Sequence, residues 1–221
     1  MLKKAQFAIS MAQYVPSGAL KSIPQIALAG KSNVGKSSLI NRLANHSKLA
    51  KTSSEPGKTR LINFYLMEDA FYLVDLPGYG YAKASQEERK RWAGMIEGYF
   101  ANAKELCCVL QLVDIRHKPT EQDVMMVNYL RHYQLPFCVV TTKCDKVSRA
   151  ERSRAIPVIC RTLAVQPWEI FAHSAQTGLG TEALEDFIRK ALTEPANGPR
   201  EEENDLCTGK SGRRESHPSP V

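Results

Sequence analysis

The eight residues from Gly30 to Ser37 constrain this chain most, because they fit the phosphate-binding pattern G-x-x-x-x-G-K-[ST]. An apolar run over 23–29 precedes them and a helical pattern over 37–44 follows, which is the strand-to-helix turn that such a loop requires. Glycines allow backbone N–H groups to converge on phosphate, the Lys36 ammonium reaches the β and γ phosphates, and the Ser37 hydroxyl is a ligand for Mg²⁺. A glycine- and serine-rich turn is the alternative, but the context favours a nucleotide site. The predicted contacts are Gly30, Lys31, Ser32, Asn33, Val34, Gly35, Lys36, Ser37 and Ser38.

A second segment, Asp75 to Gly78, has the pattern D-x-x-G and closes the apolar run 71–74. We expect the Asp75 carboxylate to project from a strand end toward the Mg²⁺ shell and the Gly78 N–H to meet a γ-phosphate. Asp and Gly are also ordinary turn residues, so a simple turn is the alternative. The predicted contacts in this segment are Asp75, Leu76, Pro77 and Gly78.

A third segment, Thr142 to Asp145, follows the apolar run 137–141 and resembles the guanine-reading element of GTPases, with Thr in place of the usual Asn. The Asp145 carboxylate can accept both N1–H and N2–H of guanine, whereas adenine has no donor at N1. Lys143 would lay its methylene stem over the base. The predicted base contacts are Thr142, Lys143, Cys144 and Asp145, together with His173, Ser174 and Ala175 after a later strand. Oxidation of Cys144 could obstruct the base, although a small filler residue is the plainer interpretation.

The loop 53–60 has the turn-forming composition of a segment that senses the third phosphate. Its hydroxyl at Thr59 is the predicted second Mg²⁺ ligand from the protein, beside Ser37. The alternative is that Thr59 only begins a strand, since threonine favours strands. The predicted contacts here are Gly57, Lys58, Thr59, Arg60 and Leu61.

These motifs, with 79–82 (Tyr-Gly-Tyr-Ala) and 114–117 (Asp-Ile-Arg-His), make the chain resemble the EngB family, also called YihA or YsxC, of bacterial ribosome-biogenesis GTPases. The likeness runs from about residue 7 to residue 191 and places the chain among the TrmE-Era-EngA-like GTPases. The resemblance implies a cytoplasmic GTPase that helps to assemble the large ribosomal subunit and is needed for normal cell division and septation. GTP, GDP and Mg²⁺ are the implied ligands, and a monomer is expected.

Catalysis is less clearly encoded, because Tyr79 stands where Ras-like enzymes carry a water-orienting Gln. We therefore expect slow intrinsic hydrolysis. Asn33 resembles the asparagine that helps to hold K⁺ in potassium-using GTPases, while Lys58 and Arg60 are alternative sources of positive charge. The predicted catalytic residues are Lys36, Asn33, Thr59 and Gly78.

The alternation of apolar runs and helical patterns predicts an α/β fold, a three-layer P-loop GTPase domain of the Ras-like type over residues 1–194. Its mainly parallel six-stranded sheet would have one antiparallel edge strand, 61–67, paired with 70–75. The other strands are expected near 25–29, 107–113, 136–142 and 168–172, and the helices near 36–45, 86–102, 119–133, 148–163 and 180–193. Pro157 would either kink the fourth helix or mark a later start for it. Residues 195–221 have the composition of a disordered tail.

The net charge is +7, and basic residues cluster in 83–104 and 146–161, which suits ribosomal RNA, although solvated helix faces would give the same pattern. Six cysteines without a C-x-x-C pair favour reduced thiols, and no apolar run approaches membrane-spanning length. A GTPase that docks on a pre-ribosomal particle is the favoured function. A nucleotide-gated protein-binding module with incidental hydrolysis is the alternative.

Overall fold

Strands and helices alternate along most of the chain in the computed structural model, which describes residues 4–15, 18–51, 61–80 and 85–193, apart from the side chain of Arg89. The strands are β1 (Ala5–Met11), β2 (Gln25–Gly30), β3 (Ile62–Met67), β4 (Phe71–Asp75), β5 (Leu106–Asp114), β6 (Phe137–Thr142) and β7 (Ile170–Ala172). The α-helices are α1 (Lys36–Leu43), α2 (Gln86–Asn102), α3 (Glu121–His132), α4 (Arg149–Leu163) and α5 (Thr181–Thr193). Short 3₁₀ turns cover Cys144–Lys146 and Pro167–Glu169. The predicted tail lies outside the described residues.

The strands form one sheet in the order β1-β3-β4-β2-β5-β6-β7. The predicted hairpin is confirmed, because β3 and β4 are antiparallel and joined by a tight turn in which Glu68 and Asp69 both have positive φ. From β4 through β2 to β7 the pairs are parallel. The predicted α/β fold with a mainly parallel sheet is therefore confirmed.

The number of strands was wrong, because β1 pairs antiparallel with β3 and takes the edge position expected for β3. Residues 5–11 alternate weakly, and Phe7 is half exposed even in the sheet. An edge strand of this kind is stabilised by hydrogen bonding to its neighbour more than by burial of its own side chains. Its sequence consequently carries little of the periodicity by which strands are recognised.

Helices cover both faces of the sheet, because successive side chains of a strand point in opposite directions. In β2, Ile26 and Leu28 join the core beneath α1 and α5, whereas Ala27 and Ala29 join the core beneath α2 and α3. A third cluster packs α3 and α4 over β5 and β6. The buried parallel strands thus bring their carboxyl ends to one edge of the sheet, between two helical layers.

Three helices begin with reciprocal capping boxes, formed by Ser85 with Glu88, Thr120 with Asp123, and Ser148 with Glu151. The Ser148 box fixes the start of α4, so the alternative of a later start at Pro157 was wrong; the proline lies inside the helix. In the described part of the chain, no helix is both long enough and apolar enough to cross a membrane.

Candidate nucleotide site

The phosphate-pattern loop lies between the end of β2 and the start of α1, as expected. Two of its residues have left-handed backbone, Asn33 with φ +61° and Gly35 with φ +119°. Gly30 approaches β5 so closely that an added Cβ would lie 3.0 Å from the Leu112 carbonyl oxygen. The first turn of α1 has no acidic residue and no side-chain cap, so its N–H groups remain available to an anion.

Lys36 and Asp75 meet at the centre of this edge, where Lys36 Nζ lies 3.8 Å from Asp75 Oδ1. The Asp75 side chain is almost fully buried, and its Oδ1 has no hydrogen-bond partner among the described residues. Burial raises the pKa of Asp75, although the charge of Lys36 works in the opposite direction. A buried carboxylate oxygen without a donor fits a bound cation, and the Ser37 hydroxyl group begins the adjacent helix.

The segment that follows Asp75 packs against the phosphate loop. The Ser32 N–H donates to the Tyr79 carbonyl oxygen over 2.8 Å. An added Cβ on Gly78 would lie 3.0 Å from both the nitrogen and the Cα of Ser32, so this close approach requires glycine. Two of the predicted contacts also stabilise the fold: Leu76 is fully buried in the core, and the Pro77 carbonyl accepts from Trp92 Nε1 at 2.8 Å.

Tyr79 points away from the site and into the core. Its hydroxyl donates to Asp123 Oδ1 and accepts from Gln111 Nε2, both at 2.6 Å. The ring packs edge-on against Trp92. Burial, followed by the charge of Asp123, raises the pKa of Tyr79 well above its ordinary value, so the phenol stays protonated. In this structure the side chain at position 79 therefore cannot orient a water molecule at the phosphates.

The predicted base-reading residues come together at the ends of β6 and β7. Ser174 Oγ donates to Asp145 Oδ1 over 2.7 Å, and Ser174 Oγ in turn accepts from the Thr177 N–H. The Ser174 hydrogen bond lowers the pKa of Asp145, with a smaller contribution from Lys146. Cys144 is buried, and its N–H donates to the His173 carbonyl. Asp145 is consequently an ionised acceptor in a fixed orientation.

Two side chains connect this base-reading segment to the phosphate loop. Thr142 Oγ1 lies 2.6 Å from the Val34 carbonyl oxygen and 3.2 Å from that of Val113, so its single proton can serve either. Lys143 Nζ donates to the Asn33 carbonyl over 2.8 Å. The threonine that replaces the usual asparagine thus still ties the two loops together.

Asp114, for which the sequence suggested no role in the site, holds Lys143 from the other side at 2.9 Å. The same carboxylate accepts two hydrogen bonds from the Arg116 guanidinium, at 2.9 and 2.6 Å. Burial opposes ionisation of Asp114, but the hydrogen bonds from Arg116 and Lys143 outweigh it and hold the pKa of the carboxyl well below its usual range. The end of β5 therefore positions the lysine of the base-reading segment.

A cavity of about 580 Å³ opens between α1 and the base-reading loops. Its lining includes the predicted residues Gly35, Ser38, Thr142, Lys143, Asp145, His173 and Ala175. It also includes five residues of α1 and the following loop that the motif analysis missed, namely Asn41, Arg42, Asn45, His46 and Ser47. The spacing of Ser38, Asn41, Arg42 and Asn45 is i, i+3, i+4, i+7, a polar stripe on one helix face that the sequence does contain.

His173 lies beneath this cavity with 1% of its surface exposed. Burial, assisted by the charge of Arg42, lowers the pKa of His173 to about 4, and its Nε2 lies 3.3 Å from the Thr181 hydroxyl. The imidazole is therefore neutral at physiological pH. Its backbone N–H donates to the Thr141 carbonyl, which fixes the loop that carries Ser174.

The remaining predicted contacts, Gly57, Lys58, Thr59 and Arg60, lie outside the described residues. Leu61 is described and is 39% exposed immediately before β3.

This fold, with its phosphate loop, buried lysine–aspartate pair and base-reading segment, is that of a P-loop GTPase. The family described as "50S ribosome-binding GTPase" matches residues 25–143. The probable GTP-binding protein EngB of Syntrophomonas wolfei is 52% identical over 171 residues, covering 77% of this chain and 88% of that protein. The chain belongs to the EngB family of GTP-binding proteins.

Solved structures agree with this assignment. A crystal structure of a probable GTP-binding protein EngB matches with a TM-score of 0.65 and 27% identity, over 76% of this chain and 98% of that one. Era in complex with MgGDPNP and nucleotides 1506–1542 of 16S ribosomal RNA matches with a TM-score of 0.59 and 25% identity, over 84% of this chain and 62% of that one.

Proposed function

We propose that this protein is a cytoplasmic, monomeric molecular switch that hydrolyses GTP to GDP and phosphate and acts in assembly of the large ribosomal subunit. Cell division and septation would depend on it through ribosome supply. The observation that carries the proposal is the physical connection between the two halves of the site, in which Thr142 and Lys143 bond the phosphate loop directly. The family description and the EngB relatives support a ribosomal partner.

In the proposed site, residues 30–38 hold the phosphates, Lys36 neutralises their charge, and Asp145 reads guanine. Ser37 and Thr59 would hold Mg²⁺, with Asp75 nearby; the bound ion would offset negative charge on the phosphates. The orphaned Asp75 oxygen supports this assignment, and Era has been crystallised with MgGDPNP. Gly78 would offer its N–H to the γ-phosphate.

For hydrolysis, we propose that Asn33 helps to hold K⁺, which would supply positive charge where the transition state becomes negative. The inward orientation of Tyr79 supports a source of charge other than residue 79. Steady-state hydrolysis should then be faster in KCl than in NaCl at equal ionic strength. Because Asn33 has positive φ, Asn33→Gly removes the side chain without backbone strain and should erase the difference while sparing GDP affinity. Potassium-independent turnover would reject this role and direct attention to Lys58 or Arg60.

The ribosomal role is tested by sedimentation of the full chain with purified large ribosomal subunits. We expect co-sedimentation with a non-hydrolysable GTP analogue and release with GDP. Equal binding in both states would contradict a switch on the ribosome. Absence of binding in either state would favour the nucleotide-gated protein-binding module.

A further inference from the structure

We infer that the outward face of α4, with the turn that follows it, is an RNA-binding surface of this protein. The surface, called the α4 face below, comprises Arg154 and Arg161 on the outward side of the helix, Arg149 at the helix start and Trp168 in the turn that follows. This inference rests on the proposed function at the ribosome and specifies which surface would contact ribosomal RNA.

Two of the arginines of α4 share the outward side of the helix. The helix carries four arginines and one glutamate. Arg154 and Arg161 are seven residues apart, two helical turns or about 10 Å, and both are exposed on the side opposite the buried Ile159 and Leu163. Arg149 is exposed at the helix start, next to the base-reading segment.

This positive charge is not neutralised within the described part of the chain, where none of the three arginines forms an ion pair. The only acidic residue of α4, Glu151, accepts the Ser148 N–H at 2.7 Å in the capping box. Hydrogen bonds from Ser148, followed by the charge of Arg154, lower the pKa of Glu151. Among the described residues, no carboxylate lies within ion-pair distance of these three guanidinium groups, which can therefore bind an external anion.

Trp168 separates this face from an ordinary solvated helix. Its side chain is 77% exposed, the largest exposure among the large hydrophobic residues that the structure describes. It lies in the turn Pro167–Glu169, which packs against α4. Arg131 Nη2 donates to the carbonyls of Leu163 and Ala164, which adds another guanidinium at the end of the helix.

The turn fixes the backbone that carries the indole without shielding its ring. Pro167 restricts the backbone, and the carboxylate of the adjacent Glu169 accepts the Gln166 N–H at Oε2 over 2.6 Å. The exposed indole offers a flat apolar surface, and its side chain has only two rotatable bonds to order on binding.

The chemistry favours RNA over a protein partner. Guanidinium groups bind backbone phosphates, and an aromatic ring stacks on an unpaired base. At protein interfaces an exposed tryptophan normally belongs to an apolar patch. Here the other exposed large hydrophobic side chains of the described residues lie outside α4 and its following turn, and the helix that this turn packs against carries exposed arginines.

The test compares binding of full-length variants, loaded with a non-hydrolysable GTP analogue, to large ribosomal subunits and to protein-free large-subunit rRNA at several salt concentrations. Arg154→Glu/Arg161→Glu should lose about tenfold or more in affinity for both, and the slope of log affinity against log salt should fall by about 1.5, as expected for two phosphate contacts. The matched control is Lys21→Glu/Lys48→Glu, which makes the same charge change at exposed positions before β2 and after α1, outside both basic segments, and should stay within about twofold of wild type.

Trp168→Ala should weaken binding to both probes by roughly tenfold, whereas Trp168→Phe, which keeps a stacking ring, should retain most of the affinity. GDP affinity and the melting temperature report folding and should be unchanged in all variants.

If wild type binds but the α4 variants bind as the control does, the surface is wrong and the proposed function stands. Loss of subunit binding with normal rRNA binding would assign the face to a ribosomal protein and overturn the RNA inference. If wild type binds neither probe, the proposed function fails, and this inference fails with it.

Discussion

At the scale of single residues, hydrogen bonds from neighbouring side chains set the orientation and the charge of a candidate contact. Asp145 has one carboxylate oxygen engaged by Ser174 and the other 3.4 Å from Lys146 Nζ. It is ionised and points in a defined direction, so it can act as a paired acceptor for the N–H groups of guanine.

Replacement of Asp145 by Asn should exchange base preference, because an amide puts a donor where guanine also presents donors. We expect GTP affinity to fall by at least about 1.5–3 kcal/mol, the range for charge-assisted hydrogen bonds, and affinity for xanthosine triphosphate to rise. Calorimetric titration with both nucleotides measures this, with the exposed Asp69→Asn as a control. Equal changes for GTP and XTP would remove Asp145 from the base site.

His173 should make stability depend on pH in the acid range. Its pKa is lowered to about 4 in the folded protein, whereas in the unfolded chain it is near 6.5. Between these values the unfolded state binds more protons, so the free energy of unfolding should fall as pH decreases from about 6.5 to 4, by up to about 3 kcal/mol. Urea titrations at several pH values should show a shallower loss for His173→Gln than for wild type, with the exposed His132→Gln as control. Parallel pH profiles for wild type and His173→Gln would contradict this account.

The sequence predicted Asp145 because the segment 142–145 resembles the guanine-reading element of GTPases, and Ser174 because it lies just beyond a later strand. It did not predict the roles of Asp114 and Arg42. Asp114 approaches Lys143 only because β5 and β6 are neighbours in register, which residue spacing does not reveal. The sequence alone also could not show that Tyr79 points inward, since that requires Gln111 and Asp123 from two other elements.

At the scale of elements, two hydrogen bonds connect the end of β6 to the phosphate loop, one from the Thr142 hydroxyl and one from the Lys143 ammonium. Val34 and Asn33 are separated from Thr142 and Lys143 by 108 and 110 residues along the chain. We therefore expect a change in either loop to affect the other through these backbone carbonyl groups, and base recognition to be coupled to phosphate binding.

Thr142→Val tests that coupling, because valine has nearly the same shape, favours strands and lacks only the hydroxyl. Loss of the one proton that Val34 or Val113 accepts leaves a buried carbonyl without this donor, which should lower the free energy of unfolding by about 1–3 kcal/mol and also weaken GDP binding. Chemical unfolding and nucleotide titration measure the two effects. Thr142→Ser should retain nucleotide affinity; if Thr142→Val retains it equally, the hydroxyl does not connect the two loops.

Most elements lie within two residues of their predicted positions, because buried parallel strands are nearly continuous apolar runs and the helices are long and periodic. The exception, β1, shows where such reasoning fails. Its identity as a strand depends on the hydrogen-bonding edge that β3 offers, and that edge is a property of the assembled sheet.

At the scale of the whole molecule, the candidate site and the added strand lie in different regions. The site is built at the carboxyl ends of β2, β4, β5, β6 and β7, whereas β1 covers the outer edge of β3. Stability contributed by β1 should therefore be separable from nucleotide binding.

Deletion of residues 1–11 should lower the free energy of unfolding by at least about 2 kcal/mol, since it removes a ladder of hydrogen bonds and the buried side chain of Met11. GDP affinity should remain within about twofold when measured well below the unfolding transition, where the folded population is saturated. Urea unfolding and nucleotide titration of the truncated chain check both statements. An unchanged unfolding midpoint, or loss of affinity without loss of stability, would show that β1 does something else.

The inward orientation of Tyr79 limits what a substitution at position 79 can do to the chemistry of the site. Its hydroxyl satisfies two buried polar side chains, so a substitution there would disturb the core before it could alter the chemistry over the phosphates. A glutamine introduced at this position would have the same backbone, whose carbonyl accepts the Ser32 N–H, and its side chain would point into the core. In this structure, the side chain that follows the D-x-x-G segment does not approach the phosphate loop. Substitutions that change the lifetime of a bound triphosphate are therefore expected at other residues.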